Sequence, residues 1–169
     1  MKLAPTANLF RLLFVSLICL SSIAVYAQSD LESVPNFNAK TTKGEKFTKD
    51  SLKGKVVLLQ FWTTWCPYCK HDEAMVERLE KQFSEKGLVI LAVNVNESKK
   101  TVANYLKEHP RTCRIVLTED TNLAARFEAK SYPVYIVINK DGNLEDEFRG
   151  SAPETGLKNV LRRAGLAVD

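Results

Sequence analysis

The sequence has no second cysteine pair. It holds four cysteines in 169 residues, and only Cys66 and Cys69 stand close together. Two histidines, His71 and His109, and Cys113 are the other soft or borderline metal ligands of the main body. A structural zinc site takes four ligands, commonly two cysteine pairs or one pair with histidines, so the composition gives zinc little to work with. The chain also lacks a basic block interleaved with aromatics. Its net charge of +4 is modest and spread along the chain, which leaves nucleic-acid binding without its electrostatic footprint. No internal repeat or low-complexity tract appears. No acidic residue precedes Asp30, and the apolar stretch in that region is short for a membrane span of about 20 residues.

That acid-free beginning has an organisation of its own. Lys2 and Arg11 are basic, Leu12 to Leu20 is an apolar core, and Ser21-Ser22 breaks it. Val25-Tyr26-Ala27 fits a small-x-small cleavage signal. Residues 1–27 are therefore expected to be a signal peptide, with an uncleaved membrane anchor as the alternative. Cys19 is read as filler of the apolar core, since the small residues of a lipoprotein signal do not precede it. Export implies an oxidising compartment in which disulfides persist, the periplasm or another bacterial extracytoplasmic space. Residues 28–169 are long enough for one domain with a real core.

What the chain does have is Phe61 to Cys69, FWTTWCPYC. Val56 to Trp62 is short and apolar, β-branched at its start, and reads as a buried strand. A helical pattern begins at Pro67 and runs to about Lys86, where Gly87 ends it. Cys66 then falls at the helix N-cap, and Pro67 takes the first helical position, where a missing N–H costs nothing. Unpaired amides and the positive end of the helix dipole favour a thiolate at Cys66. The thiolate is the nucleophilic form. Cys69, three residues on, is placed to resolve the mixed disulfide that Cys66 forms. A purely structural disulfide is the rival reading, but a two-residue loop constrains the unfolded chain little.

On the same helix, Cys69, Asp72, Val76, Leu79 and Phe83 share one face. Asp72 is thus a carboxylate beside Cys69 on the side turned to the core, where it could exchange a proton with the thiol. The plainer reading is a first-turn acid favoured by the dipole with its head in water. Glu73 is the alternative candidate. Glu77 and Lys81 have the i,i+4 spacing of an outer-face ion pair.

The remaining elements follow in order. Phe37 to Thr48 reads as a hairpin around Thr41-Thr42-Lys43-Gly44. Leu88 to Val95 is a second buried strand. Ser98 caps a helix carrying Val102, Tyr105 and Leu106 that stops at Pro110. Ile115 to Leu117 is a short strand, and Asp120 or Thr121 opens a brief helix through Phe127. Ser131-Tyr132-Pro133 interrupts the chain before Val134 to Ile138. Asn139-Lys140-Asp141-Gly142 turns it into Leu144 to Phe148, an antiparallel partner. Ser151-Ala152-Pro153-Glu154 matches a capping box, and Leu157, Val160, Leu161 and Ala164 form the last helix's apolar face. Strands alternating with helices imply parallel crossovers in an α/β sheet.

This assembly resembles the thioredoxin fold and, within it, the TlpA/ResA-like family of exported thiol–disulfide oxidoreductases. The resemblance covers nearly all of the chain after residue 27. It rests on FWTTWCPYC at the strand–helix junction, the extra strand–helix unit from Leu88 to Pro110, Tyr132-Pro133-Val134 before a strand–DG–strand hairpin, and the closing helix. The fold it implies is a mixed central sheet flanked by helices, with an N-terminal hairpin and the inserted strand–helix unit.

The resemblance also implies roles. Cys66 looks like the attacking cysteine and Cys69 the resolving one. Pro133, after Tyr132, resembles the family's cis-proline, which lies beside the dithiol and helps hold a partner chain extended. Trp65 would shape the partner-facing rim or, alternatively, serve as a core aromatic. No cofactor is implied, since the chemistry belongs to the two sulfurs. The partners are exported protein thiols and disulfides and a membrane dithiol electron donor, with membrane contact only if the first segment is retained. A monomer is expected. Two departures stand out. Cytoplasmic thioredoxins carry a buried aspartate where this chain has Gln60, which moves the acid–base role toward Asp72; the matching ResA-like position is a glutamate. The Pro67-Tyr68 dipeptide is that of glutaredoxins.

Several functions compete on these residues. The leading one is a reductase of exported disulfides, apocytochrome c among them. The others are an oxidase or isomerase, a thiol peroxidase using Thr63 before Cys66, and a non-catalytic binding module. Cys113 reads as a packed free thiol, His71 as a solvated first-turn residue and His109 as a helix-terminal residue favoured by the dipole.

Overall fold

The computed structural model describes residues 32–168. The expected signal peptide, its cleavage point and Cys19 lie outside the described residues. The elements are β1 (Asn38–Thr41), β2 (Lys46–Thr48), β3 (Val56–Trp62), α1 (Pro67–Phe83), β4 (Leu88–Asn94), α2 (Lys99–Glu108), β5 (Arg114–Thr121), α3 (Leu123–Arg126), β6 (Val134–Ile138), β7 (Leu144–Arg149) and α4 (Glu154–Arg163). A turn of 3₁₀ helix, Asp50–Leu52, leads into β3.

All seven residues of β3 and of β4 are buried, which is why both read as unbroken apolar runs rather than alternating ones. The sheet has seven strands in the order β2-β1-β5-β4-β3-β6-β7. β3, β4 and β5 are parallel neighbours, joined by the α1 and α2 crossovers. β6 lies antiparallel to β3, and β7 antiparallel to β6. The mixed sheet matches the expected architecture. One pairing has no local signature: the β1–β2 hairpin attaches to the sheet through antiparallel contact of β1 with β5.

The period-two alternation of β3 divides the core. Val56, Leu58 and Trp62 face a cluster with Met75, Val76, Leu79 and Phe83 of α1, Val102 of α2 and Leu157, Val160 and Leu161 of α4. Val57, Leu59 and Phe61 face the other way, onto Val34, Phe37, Leu123 and Ala124. Gln60 has the parity of the first face and is buried there.

Several local expectations need correction. α1 ends at Phe83 rather than near Lys86; the last turn loosens through Ser84–Lys86, and Gly87 at φ +98° turns the chain into β4. β5 is longer than Ile115–Leu117, because β1 pairs with it as far as Thr121. The brief helix therefore opens later, at Leu123 after Asn122. α4 begins after Pro153 with no side-chain cap, so Ser151 and Glu154 form no capping box. Glu154 instead accepts from Arg78 and pairs with Lys158. Glu77 turns from Lys81 toward Thr112, whose amide and hydroxyl it accepts at 2.8 and 2.5 Å.

Cys113 lies just before β5, buried against that polar cluster. Burial pushes its thiol up to about 12; Arg111 pulls the other way, and the Glu77 carboxylate adds to the rise.

Two outcomes follow from this packing. Leu79 is fully buried, so Leu79→Ala should lower stability by about 2–5 kcal/mol, read as a fall in urea midpoint at unchanged m. The Cys113 thiol ionises near 8.5 in the unfolded chain and at about 12 in the fold. Its contribution is fully present below 8.5 and is lost as pH rises toward 12, by about 1.4 kcal/mol per unit. Cys113→Ala should therefore flatten the alkaline loss of stability, and an unchanged slope would contradict the assignment.

Candidate active site

The junction between β3 and α1 is tied down from the side. The Thr64 amide and hydroxyl donate to Glu97 at 2.7 and 2.5 Å, and Asn94 at the end of β4 donates to the same carboxylate at 2.7 Å. This clamp fixes the three residues that carry the chain from β3 into the cysteine turn.

Cys66 is the N-cap of α1, with extended backbone at φ −76° and ψ 116°. Its Sγ accepts the Cys69 amide at 3.2 Å, as an N-cap side chain does. From the other side the Cys66 thiol donates to the Tyr132 carbonyl at 3.5 Å. Tyr132–Pro133 is a cis peptide bond. The turn before β6 thus stands against the head of α1, bringing Pro133, Tyr132 and Cys66 together from positions far apart in the chain. Cys69 is also buried and unbridged. Burial pushes its thiol well above the ordinary range; the hydrogen bond with Cys66 and the nearby Asp72 charge add to the rise, and the Thr63 amide opposes it.

Asp72 is 3% exposed, which excludes the reading that leaves its head in water. It is held by three groups. Tyr135 of β6 donates its hydroxyl to Oδ2 at 2.9 Å, and Ser151 donates to Oδ1 at 2.5 Å. His71 Nδ1 lies 2.9 Å from Oδ1. His71 is exposed as expected, yet its ring touches the buried carboxylate at the protein surface. Behind Tyr135, Gln60 donates to the phenol oxygen at 3.2 Å and accepts from Arg111 at 2.7 Å. The β3–β6 register sets Gln60 opposite Tyr135, so both side chains emerge on one face. Glu73, the other candidate acid, accepts from the Tyr105 hydroxyl and lies 3.4 Å from His109, turned toward α2. His109 stacks on Tyr105 at 4.2 Å.

The rim of the site is apolar and open. Trp65 is 66% exposed and meets Tyr132 edge-on at 6.0 Å, so it is no core aromatic. Tyr68, between the cysteines, is exposed as well. Among the described residues no group of three or more His, Cys, Asp and Glu side chains is gathered as a metal site. The arrangement can carry disulfide exchange: one sulfur at a helix N-terminus beside an open apolar rim, a second beneath it, and a buried carboxylate one helical turn further on.

Sequence reading missed Tyr135, Gln60, Ser151 and Arg111. A signal existed for two of them. Gln60 is the one polar residue in VVLLQFW, and Tyr135 carries the only hydroxyl in VYIVI. A polar group inside a buried strand needs a hydrogen-bond partner.

A model of the Redoxin family matches residues 30–161. The thiol-disulfide oxidoreductase ResA of Bacillus subtilis is 32% identical over 133 residues, 79% of this chain and 74% of that protein. The thioredoxin-like protein YneN of the same organism is 30% identical over 133 residues, 77% of each chain. Among solved structures, a thiol:disulfide interchange protein of the thioredoxin family from Chlorobium tepidum superposes at TM-score 0.70 and 25% identity, over 82% of this chain and 99% of the other. StoA from Bacillus subtilis does so at TM-score 0.65 and 24% identity, over 75% and 96%. With the family match running through the dithiol to the last helix, and ResA alike along most of both chains, this protein belongs to the Redoxin family as a ResA-like thiol–disulfide oxidoreductase of thioredoxin fold.

Proposed function

We propose that the protein is exported, reduces disulfides in other exported proteins with apocytochrome c as a candidate target, and is recharged by a membrane dithiol donor. The observation that carries the reading is the unequal setting of the two sulfurs. Cys66 stands at the helix N-cap beside the Trp65 rim, whereas Cys69 lies beneath it with a thiol that burial pushes up. Among the described residues, Cys66 Sγ meets the Cys69 amide, the Cys69 thiol and the Tyr132 carbonyl, none of them a side-chain cation. A dithiol becomes a strong oxidant when its reduced form is specially stabilised. Here the Cys66 thiolate has the helix N-terminus and the Cys69 amide but no charged donor among these partners, which favours a donor of electrons.

The exchange takes two displacements. The Cys66 thiolate attacks a partner disulfide; a Cys66–partner bond forms, the partner's S–S bond breaks, and the released sulfur takes up a proton. Cys69 then attacks Cys66 and gives its proton to Asp72. The Cys66–Cys69 bond forms, the mixed disulfide breaks, and the partner leaves with two electrons gained. The donor dithiol returns two electrons to the pair. Pro133 and Tyr132 hold the partner segment extended beside Cys66, and Trp65 covers it. Export follows from the Lys2, Arg11 and Leu12–Leu20 pattern, and residues 28–169 act as a monomeric domain.

The pair should equilibrate with glutathione buffers at or below about −270 mV, as thioredoxin does; a value near about −120 mV would make the protein an oxidase and overturn the direction. Cys69→Ala in its reduced form should attack disulfide-bonded insulin and accumulate a mixed disulfide with an insulin chain, visible by mass, while Cys66→Ala should show no insulin reduction above background. Accumulation on Cys66→Ala instead would reverse the two roles.

A further inference from the structure

We propose that Tyr135 is a positioning residue for the resolving step: its phenol, oriented by Gln60 and Arg111, aims the Asp72 carboxylate and stabilises its ionised form beside Cys69. This rests on the reading of Asp72 as the acceptor of the Cys69 proton.

The orientation of each group is dictated by the one behind it. A guanidinium has donors only. Arg111 Nη2 donates to Gln60 at 2.7 Å, so the amide must present its oxygen to Arg111. Its nitrogen then faces Tyr135 at 3.2 Å and can only donate, which makes the phenol oxygen an acceptor there. The single phenol proton is left for Asp72 Oδ2 at 2.9 Å. A cation at one end thus directs three successive hydrogen bonds toward the carboxylate. Hydrogen bonds to the charged form favour it, and bonds in such a chain polarise one another.

Arg111 is otherwise hard to account for. Its side chain is 1% exposed, yet Nε stands 3.6 Å from Glu77, too long for a hydrogen bond, and Nη1 has no partner. A buried cation without full pairing is costly. Its ring contact with Trp62 at 5.2 Å offsets only part of that. The directed chain supplies its purpose. Tyr135 itself does not move the proton, because burial and the Asp72 charge push its phenol far above the ordinary range. The proton reaches the carboxylate from Cys69 and leaves through Oδ1, where the exposed His71 ring lies at 2.9 Å.

The other titratable groups around Asp72 are few. Cys69 and His71 face it from the head of α1. Tyr105 of α2 is committed to Glu73. Of these groups only Asp72 is hydrogen-bonded to the phenol, so Tyr135→Phe removes a hydrogen bond from Asp72 and from no other titratable group.

The resolving step can be isolated with Ellman's reagent as the oxidant. Reduced protein and one equivalent form the Cys66 mixed disulfide, releasing one thionitrobenzoate. Cys69 then displaces the second, closing the Cys66–Cys69 bond. The rate of that second release is followed by stopped flow across pH. Asp72→Asn should abolish the acid limb of the profile. Tyr135→Phe should keep the limb and move it up by about one to two pH units, with the wild-type plateau regained at high pH. Gln60→Met should move it the same way by less, and provides the test if Tyr135→Phe fails to fold. A uniform fall at all pH values, or limbs superimposed on wild type while Asp72→Asn still loses its own, would overturn the role of Tyr135 and leave Asp72 standing. A limb that survives Asp72→Asn would overturn both.

Discussion

A carboxylate removed from water must be hydrogen-bonded or the fold bears a cost of several kcal/mol. Asp72 meets that constraint by recruiting three separate parts of the molecule. Tyr135 comes from β6, Ser151 from the loop before α4, and His71 from α1 itself. Each bond fixes an element that also builds the dithiol's surroundings. β6 brings Pro133 and Tyr132 against Cys66, and α1 presents both sulfurs. The satisfaction of one buried charge and the assembly of the site are therefore a single geometric problem.

The three described thiols are separated by environment rather than by chemistry. Cys66 sits where a helix offers unpaired amides and next to an open apolar rim. Cys69 is one turn inward, where burial opposes ionisation. Cys113 lies before β5 beside Glu77 and Arg111 and is held as a neutral packing group.

Gln60 is buried beneath the site and cannot take a proton. It serves as a neutral relay of orientation between a cation and a phenol. A buried carboxylate, Asp72, lies on α1, a turn beyond Cys69.

Local pattern decided much of this chain. The unbroken apolar run of β3, the cysteine at the N-cap, the proline after it and the α1 stripe were all legible, because each depends on neighbours within a turn or a strand. So was the β6–β7 hairpin, with its Asp141-Gly142 turn. What failed were pairings between residues distant in sequence. Ser151 carries the signature of a cap, yet its hydroxyl finds a buried carboxylate, a stronger claim on a donor than exposed amides. Glu77 has Lys81 at ideal spacing, yet takes the Thr112 amide and hydroxyl. β5 runs on to Thr121 only because β1 arrives beside it. The sequence by itself determined the strand–helix junction, the dithiol and the chemistry they carry. Only the tertiary structure decided which acid is buried, how it is oriented and which hydroxyls hold it, because a buried polar group's partners are chosen by proximity in space, and periodicity along the chain does not encode that.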